Sequence, residues 1–271
     1  CDSVVWNGTT YNSSGTYSHG NGASNNYSMS FDGDYVSGND EYVEVANGEN
    51  VFNINNAHTI SAWVYPLYPL QDPTGNLNTH CIFDGSASMS SNLYNNAGFS
   101  LMITDNNKLY TSVGLYGYSN TSSELFSNSD LLLNHWSYVS VVRSNDTLQL
   151  FINGVLDNSR YNIPDSNISY DGGGYENDIY QIGRYTREQM AFPTYMHGDI
   201  SDVELWNTAL SQAEIQNYMN CPPTGNETGL VGYWNFEEGS GNPVLDLTLN
   251  GNDGTINGAT YDANVPAQSC V

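Results

Sequence analysis

The chain has 271 residues, of which 29 are acidic and only 5 are basic, so its formal net charge is −24. Nucleic acid and anionic membranes are therefore poor partners, because both need clustered Lys and Arg. No apolar run approaches the roughly 20 residues of a membrane helix, and the first residues do not form a charged, apolar signal segment. The acidity is explained equally well by solubility or by calcium that neutralises it.

Residue usage and cysteine count indicate an all-β protein outside the cell. Tyr (21) and Gly (26) are abundant, and together with Asn, Ser and Thr they favour strands joined by turns. The four cysteines form no CxxC pair, which argues against zinc, and their even number indicates disulfides with three possible connectivities. We favour Cys221–Cys270, because this pair brackets one compact segment, and Cys1–Cys81 is what remains.

The first 26 residues are predicted to form a β-hairpin and a linker that pack on the rest of the fold. Asn7-Gly8 lies between β-forming residues, which is a strong signal for a two-residue hairpin turn. A polar stretch then leads to residue 26. Short strands separated by Gly, Asn and Asp follow, and the clearest are 27–31, 41–45, 58–66, 97–104, 109–115, 136–143, 147–152, 179–183, 195–206, 230–236 and 254–261.

One helix is predicted near residues 211–219. Ser211 and Glu214 have the spacing of a capping box, and a partly apolar stripe follows them. The helix should end before Cys221-Pro222-Pro223. Many short strands with a single short helix favour an antiparallel sandwich or barrel.

Several segments, taken in order, resemble the laminin-G-like (concanavalin A-like) jelly roll. These segments are Ser30–Gly33 with Tyr42–Val45, Thr59–Val64, His135-Trp136 with Phe151–Val155, Gln181–Gly183 and Gly198–Asn207 with the helix that follows. The resemblance implies an all-β fold: a two-sheet antiparallel jelly-roll sandwich with one short helix. Their common order across residues 27–219 makes the match specific.

Two segments that usually open such a domain come last here. Residues 230–241 and 251–256 resemble the family's opening strands. Either the domain is permuted or a second copy begins. We favour one jelly roll over residues 27–271 with permuted C-terminal strands (230–261), because the termini of a sandwich can lie close together.

Both ends of the chain resemble a repeat unit of very large secreted adhesins of Bacteroidetes, including gliding-motility adhesins. The similarity covers residues 1–17 and 264–270. It implies a secreted, cell-surface protein whose partners include neighbouring repeats of the same chain.

A glycan-degrading enzyme is the first alternative function. Laminarinase-type hydrolases of this fold use Glu-x-Asp-x-x-Glu, and the nearest stretch here is Asp199 to Glu204. Strand alternation predicts Asp202 and Glu204 on one face and Asp199 on the other. Retaining hydrolysis needs two carboxyls about 5–5.5 Å apart. The register therefore favours a non-catalytic protein, and no catalytic residue is assigned.

Calcium is the cofactor that the resemblance implies, in a structural role. The ion takes six to eight oxygen ligands. Strands 198–206 and 230–236 resemble neighbouring strands of the family, so Asp199 is expected to meet the loop that follows. The predicted ligands are Asp199, Asp246, Asn250 and Asn252, with a second cluster at Asp32, Asp34 and Asp40. Alternatively, these side chains only make turns.

Aromatic residues in two long loops are the candidate glycan ligands: Tyr116, Tyr118, Tyr170, Asp171 and Tyr175. Long loops on a rigid scaffold commonly carry binding sites, although these tyrosines fit half-buried edge positions equally well. The predicted function is adhesion through recognition of a glycan or cell-surface polysaccharide. The alternatives are a structural spacer repeat without its own ligand and, less favoured, a glycan-degrading enzyme or its accessory domain.

Overall fold

The computed structural model describes residues 4–6, 9–11, 25–33, 40–45, 56–68, 79–85, 98–113, 123–163, 180–185 and 194–270. Nineteen strands and one helix, α1 (Gln212–Asn220), lie in these ranges. In chain order the strands are β1 (Val4–Trp6), β2 (Thr9–Tyr11), β3 (Ser28–Asp32), β4 (Tyr42–Val45), β5 (Ala57–Pro66), β6 (His80–Asp84), β7 (Phe99–Ile103), β8 (Lys108–Val113), β9 (Ser123–Asp130), β10 (Ser137–Ser144), β11 (Thr147–Ile152), β12 (Val155–Arg160), β13 (Tyr180–Ile182), β14 (Arg184–Tyr185), β15 (Thr194–Tyr195), β16 (His197–Trp206), β17 (Leu230–Trp234), β18 (Gly254–Asn257) and β19 (Thr260–Asp262).

Two antiparallel sheets form a jelly-roll sandwich, as the sequence predicts. The eight-stranded sheet runs β12-β11-β10-β5-β16-β3-β19, and β17 also pairs with β16. The seven-stranded sheet runs β18-β4-β13-β6-β7-β8-β9. Strands β14 and β15 form a separate short ribbon, and β1 pairs with β2 across Asn7-Gly8, which confirms the predicted hairpin. Its packing on the sandwich stays a prediction.

The core fills the space between the two sheets. Alternate residues of each strand point into it, because successive side chains of a strand face opposite sides. In β16, Val203 and Leu205 belong to this core, whereas Trp206 belongs to a smaller cluster on the outer face of the eight-stranded sheet. The core is one continuous set of aliphatic and aromatic side chains, so the sheets form a rigid scaffold.

Helix α1 covers part of that outer face. The Ser211 hydroxyl accepts from the backbone N–H of Glu214, and the Glu214 side chain accepts from the backbone N–H of Ser211, so the predicted capping box is confirmed. Ile215 is buried, and the rings of Tyr218 and Trp206 lie 4.7 Å apart. No helix in the described part of the chain is long and apolar enough to cross a membrane.

The last strands complete both sheets. Strand β17 pairs with β16, as predicted, while β18 pairs with β4 and β19 pairs with β3. The Cys221–Cys270 disulfide, also predicted, ties the end of α1 to the C-terminal segment. The predicted Cys1–Cys81 pair is wrong, because Cys81 is a free, fully buried thiol within β6. Cys1 itself lies outside the described residues.

Candidate functional site

A row of polar side chains crosses the outer face of the seven-stranded sheet. Its members pair with one another on successive strands and therefore share one face: Glu44, Gln181, Asp84, Ser100, Ser112 and Glu124. The residues next to these in each strand face the opposite side of the sheet, and they are buried in the core; they include Val43, Ile182 and Phe83. The middle of the polar row is buried as well, whereas Glu44 is half-buried and Glu124 is exposed. The two ends of the row are thus the accessible parts, here called the β4 end and the β9 end.

The β9 end combines two aromatic rings with a carboxylate. The rings of Tyr110 and Phe126 lie 4.7 Å apart, and 48% of the Phe126 surface is exposed. The Tyr110 hydroxyl donates to Glu124 Oε1 at 3.1 Å. An apolar surface therefore stands directly beside a hydrogen-bond acceptor, which suits a ligand with an apolar face and hydroxyl groups on its rim.

The β4 end is held together by Arg184. Its guanidinium lies 3.4 Å from the centre of the Tyr42 ring, and Nη1 pairs with Asp40 Oδ2 at 3.0 Å. Nε donates to Gln181 Oε1 at 3.0 Å, which connects the cation to the polar row. The Tyr195 hydroxyl donates to the second oxygen of Asp40 at 2.6 Å. Three kinds of contact thus fix the orientation of one guanidinium.

The predicted glycan ligands cannot be placed. Tyr116 and Tyr118 belong to the segment that joins β8 to β9, and Tyr170, Asp171 and Tyr175 belong to the segment that joins β12 to β13. All five lie outside the described residues, so their role stays a prediction. The polar row itself was missed, since only strand pairing aligns it. The exposed positions of β9 alternate, but Ser123 and Ser127 occupy buried positions and Phe126 an exposed one, so the sequence shows no apolar–polar alternation there.

Asp246 organises its own loop. Its Oδ1 accepts from the backbone N–H groups of Tyr233 and Thr248, and its Oδ2 accepts from Asn252 through both the backbone and the side chain. The side-chain amides of Asn250 and Asn252 both donate to the carbonyl of Val231. A carboxylate whose two oxygens already accept several protein hydrogen bonds does not fit a calcium site in this arrangement.

Asp199 does not meet that loop. Its Oδ2 accepts from the Asn264 side chain at 2.6 Å, and Ser30 also bonds to it. The Asp246 loop is bonded to Tyr233, which pairs with Glu204 on the neighbouring strand. Asp199 precedes Glu204 by five residues in β16, which corresponds to roughly 16 Å along the strand. The expected contact between Asp199 and Asp246 is therefore wrong. Burial raises the pKa of Asp199, and the bonds from Asn264 and Ser30 oppose this shift.

The second predicted calcium cluster is only partly described. Asp32 is exposed at the end of β3, Asp40 pairs with Arg184, and Asp34 lies outside the described residues. Within the described ranges, no group of three or more His, Cys, Asp and Glu side chains is arranged to hold a metal ion.

A bulge in β16 changes the predicted placement of the acidic stretch. The pairing with β5 shifts between Ser201 and Glu204, and Asp202 has a positive φ of 49°. Ile200 and Val203 therefore both enter the core although they are three residues apart. Asp199 consequently shares the outer face with Glu204, and its predicted place on the opposite face is wrong.

Asp202 and Glu204 are buried on this outer face. The Tyr233 hydroxyl donates to Asp202 at 2.7 Å, while the Tyr138 hydroxyl and the Trp206 indole each donate to Glu204 at 3.0 Å. Burial raises the pKa of Asp202 to about 6 and that of Glu204 to about 8, in spite of these hydrogen bonds. The pair thus lies in the protein interior and not in an open cleft.

Comparison with known proteins gives a family and several similar structures. A family model described as the concanavalin A-like lectin/glucanases superfamily matches residues 37–216. A proposed carbohydrate binding protein from Bacteroides ovatus ATCC 8483 is 17% identical, with a TM-score of 0.63 over 90% of this chain. The match spans 61% of that protein.

Two further solved structures are similar. A leech intramolecular trans-sialidase is 17% identical, with a TM-score of 0.50 over 69% of this chain and 29% of its own. A heptameric SAP-like pentraxin from Limulus polyphemus is 15% identical, with a TM-score of 0.49 over 90% of this chain and 96% of its own. No curated protein matches significantly.

Proposed function

Because this chain belongs to the concanavalin A-like lectin/glucanase superfamily, we propose that it is a non-catalytic module that binds glycan on the outer face of its seven-stranded sheet. The observation that carries the proposal is the exposed ring of Phe126 beside Glu124 on that face. A pyranose presents C–H groups on its faces and hydroxyls on its rim. An aromatic ring and an adjoining carboxylate match these two surfaces.

The position of the binding surface on rigid strands supports this proposal. Tyr110 and Phe126 belong to paired strands, and the Tyr110 hydroxyl is held by Glu124. Little conformational entropy is therefore lost when a ligand docks. The Bacteroides ovatus structure, which has the same fold, is described as carbohydrate binding.

The absence of catalysis is part of the proposal. Asp202 and Glu204 are the nearest counterpart of a hydrolase motif, and both are buried under the outer-face cluster. Their oxygens accept from tyrosine and tryptophan donors. A general acid or nucleophile must reach its substrate within hydrogen-bond distance, which this burial opposes.

The setting of the module is also proposed. We infer that it acts outside the cell, as an adhesion unit next to neighbouring repeats, because its disulfide favours an oxidising compartment. Calcium is proposed as a structural ion, with Asp32 and Asp34 as the predicted ligands that remain. The proposed calcium site does not include Asp199, Asn250 or Asn252.

A glycan array screened with and without Ca²⁺ tests the proposed function. The whole chain is expected to bind a subset of glycans, and Phe126→Ala should weaken that binding at least tenfold, because it removes the apolar platform. Leu249→Ala is the matched control, since Leu249 is 92% exposed in the loop before β18, at the opposite edge of the sheet from Phe126. If the whole chain binds no glycan in either condition, the proposal fails and the spacer function is favoured.

A further inference from the structure

We propose that the ligand is an uncharged glycan and that this face discriminates against sialylated and sulfated glycans. The inference rests on the proposed function and adds the chemical class of the ligand. It is carried by the placement of the few cations in the chain. Side chains bind a carboxylate or sulfate most strongly through Arg or Lys, and bidentate Arg contacts are the strongest.

The chain has only five Lys and Arg residues. Arg143 is fully buried, and Arg187 lies outside the described residues. The other three stand on or beside the candidate face: Lys108, Arg160 and Arg184. Any Lys or Arg contact that the described residues make to an anionic ligand on this face would have to come from one of these three.

Each of the three cations is engaged by the protein. Lys108 pairs with Asp130 at 2.6 Å and also donates to a β9 carbonyl. Arg160 donates to the backbone carbonyl of Glu124 at 2.8 Å, at the edge of β9. The charge of Lys108 is therefore offset by Asp130, and Arg160 is tied to the edge of β9 through a main-chain carbonyl.

Arg184 is the cation best placed for a ligand, and two of its five N–H donors are already engaged. Nη1 pairs with Asp40, Nε donates to Gln181, and the flat face lies on the Tyr42 ring. An anion that bound the remaining donors would lie close to the Asp40 carboxylate. Repulsion from that carboxylate opposes the gain from the new contact.

Carboxylates outnumber cations on this surface. Among the described residues, three cations lie on the face or its β9 edge, against six acidic side chains: Asp40, Glu44, Asp84, Glu124, Asp130 and Asp157. The described part of this surface therefore has an excess of three negative charges. These groups accept hydrogen bonds from hydroxyls and repel anions. Because the whole chain carries −24, the surrounding field adds to the repulsion within a Debye length of about 8 Å.

The test compares matched glycan pairs, each a neutral oligosaccharide with its sialylated and its sulfated counterpart, in EDTA and in Ca²⁺. The neutral member of each pair is expected to bind at least tenfold more tightly. Equal binding, or preference for an anionic member in either condition, would overturn the inference and leave the proposed function intact. If no pair binds at all, the proposed function itself fails, and the inference fails with it.

Asp40→Asn locates the discrimination. It frees the Arg184 charge, so binding of the anionic member relative to the neutral one should rise at least threefold. Asp146→Asn is the matched control, because it makes the same charge change at an exposed turn of the eight-stranded sheet. Glu124→Gln provides the equivalent test at the β9 end if Asp40→Asn lowers the melting temperature. An equal change in the ratio for control and face variants would refute the assignment to this face.

Discussion

Replacing the buried Glu204 with Gln should change how the stability of the protein depends on pH. Glu204 accepts one bond from Tyr138 and one from Trp206, and burial raises its pKa from 4.5 to about 8. In the unfolded chain the same group ionises near pH 4.5. Between these values the folded state holds one more proton than the unfolded state, so the free energy of unfolding falls as pH rises.

The size of the effect follows from the same two values. The slope approaches about 1.4 kcal/mol per pH unit while Glu204 is protonated in the folded state, so raising the pH from 6.5 to 8 removes roughly 1.5–2 kcal/mol. This window is chosen because His80, whose pKa burial lowers to about 4, changes stability in the opposite direction mostly below pH 6.5, with only about 0.4 kcal/mol of that change left above it. Asp202, with a pKa of about 6, contributes mainly at lower pH.

A glutamine can fit the same position. Its carbonyl oxygen can accept from the Trp206 indole, and its amide can donate to the Tyr138 hydroxyl, which then turns its own proton away. The variant should therefore fold, with a free energy of unfolding about 1 kcal/mol lower at pH 6.5. Since the amide does not titrate, the variant should lack the decline between pH 6.5 and 8.

The assay is urea unfolding followed by tryptophan fluorescence at several pH values. Glu214→Gln serves as the control: it removes a carboxylate from the exposed capping box, whose bonds lower the Glu214 pKa, and its effect should not vary between pH 6.5 and 8. If the wild-type free energy of unfolding does not fall in this window, or if Glu204→Gln keeps the wild-type slope, the reasoning is wrong.

Three further perturbations test other parts of the fold. Cys221→Ser opens a disulfide between residues 49 positions apart and should lower the free energy of unfolding by roughly 2–4 kcal/mol, an effect that reductant should reproduce in the wild type. Gly198→Ala should lower the free energy of unfolding by more than about 2 kcal/mol, because a Cβ there would lie 2.1 Å from a backbone carbonyl oxygen. Gly251 has open space around it, so Gly251→Ala should lower the free energy of unfolding by only about 1 kcal/mol, through its positive φ. Equal losses in the two variants would contradict the steric explanation. In calorimetry, we expect Ca²⁺ to raise the melting temperature by a few degrees and Asp32→Asn to reduce that rise. Asp246→Asn should instead lower the melting temperature equally with and without Ca²⁺, because it removes hydrogen bonds within the loop. A wild-type melting temperature that does not depend on Ca²⁺ would contradict the calcium proposal.

The sequence predicts the sandwich well where local signals agree. The capping box at Ser211 and the pairing of the two strands that flank Asn7-Gly8 depend on neighbouring residues alone, and both are confirmed. The strand at Thr59–Val64 forms part of β5. Strands β6, β9 and β12 are not predicted. β6 is buried along its whole length, β12 is largely exposed, and β9 has serines at buried positions and Phe126 at an exposed one, so none of the three shows apolar–polar alternation in its sequence.

The candidate site depends on information that a single strand does not contain. The polar row needs six strands in register, from Glu44 to Glu124. The placement of Asp199 needs the bulge at Asp202, a local insertion that strict alternation cannot anticipate. The wrong Cys1–Cys81 pairing has a similar origin. It was the pair left over once Cys221 and Cys270 were paired, and that choice carries no information on whether the strand that contains Cys81 is buried.

The Cys221–Cys270 bond has a consequence for a chain under tension. A force applied to the two ends of this chain would pass from residue 221 through the disulfide to residue 270 and bypass the residues between them. Strands β17, β18 and β19 all belong to this bypassed stretch. Unfolding by force would then release roughly 17 nm less contour length than the sequence allows, at about 3.5 Å for each of the 49 positions. Reduction would restore that length and place the three strands in the load path.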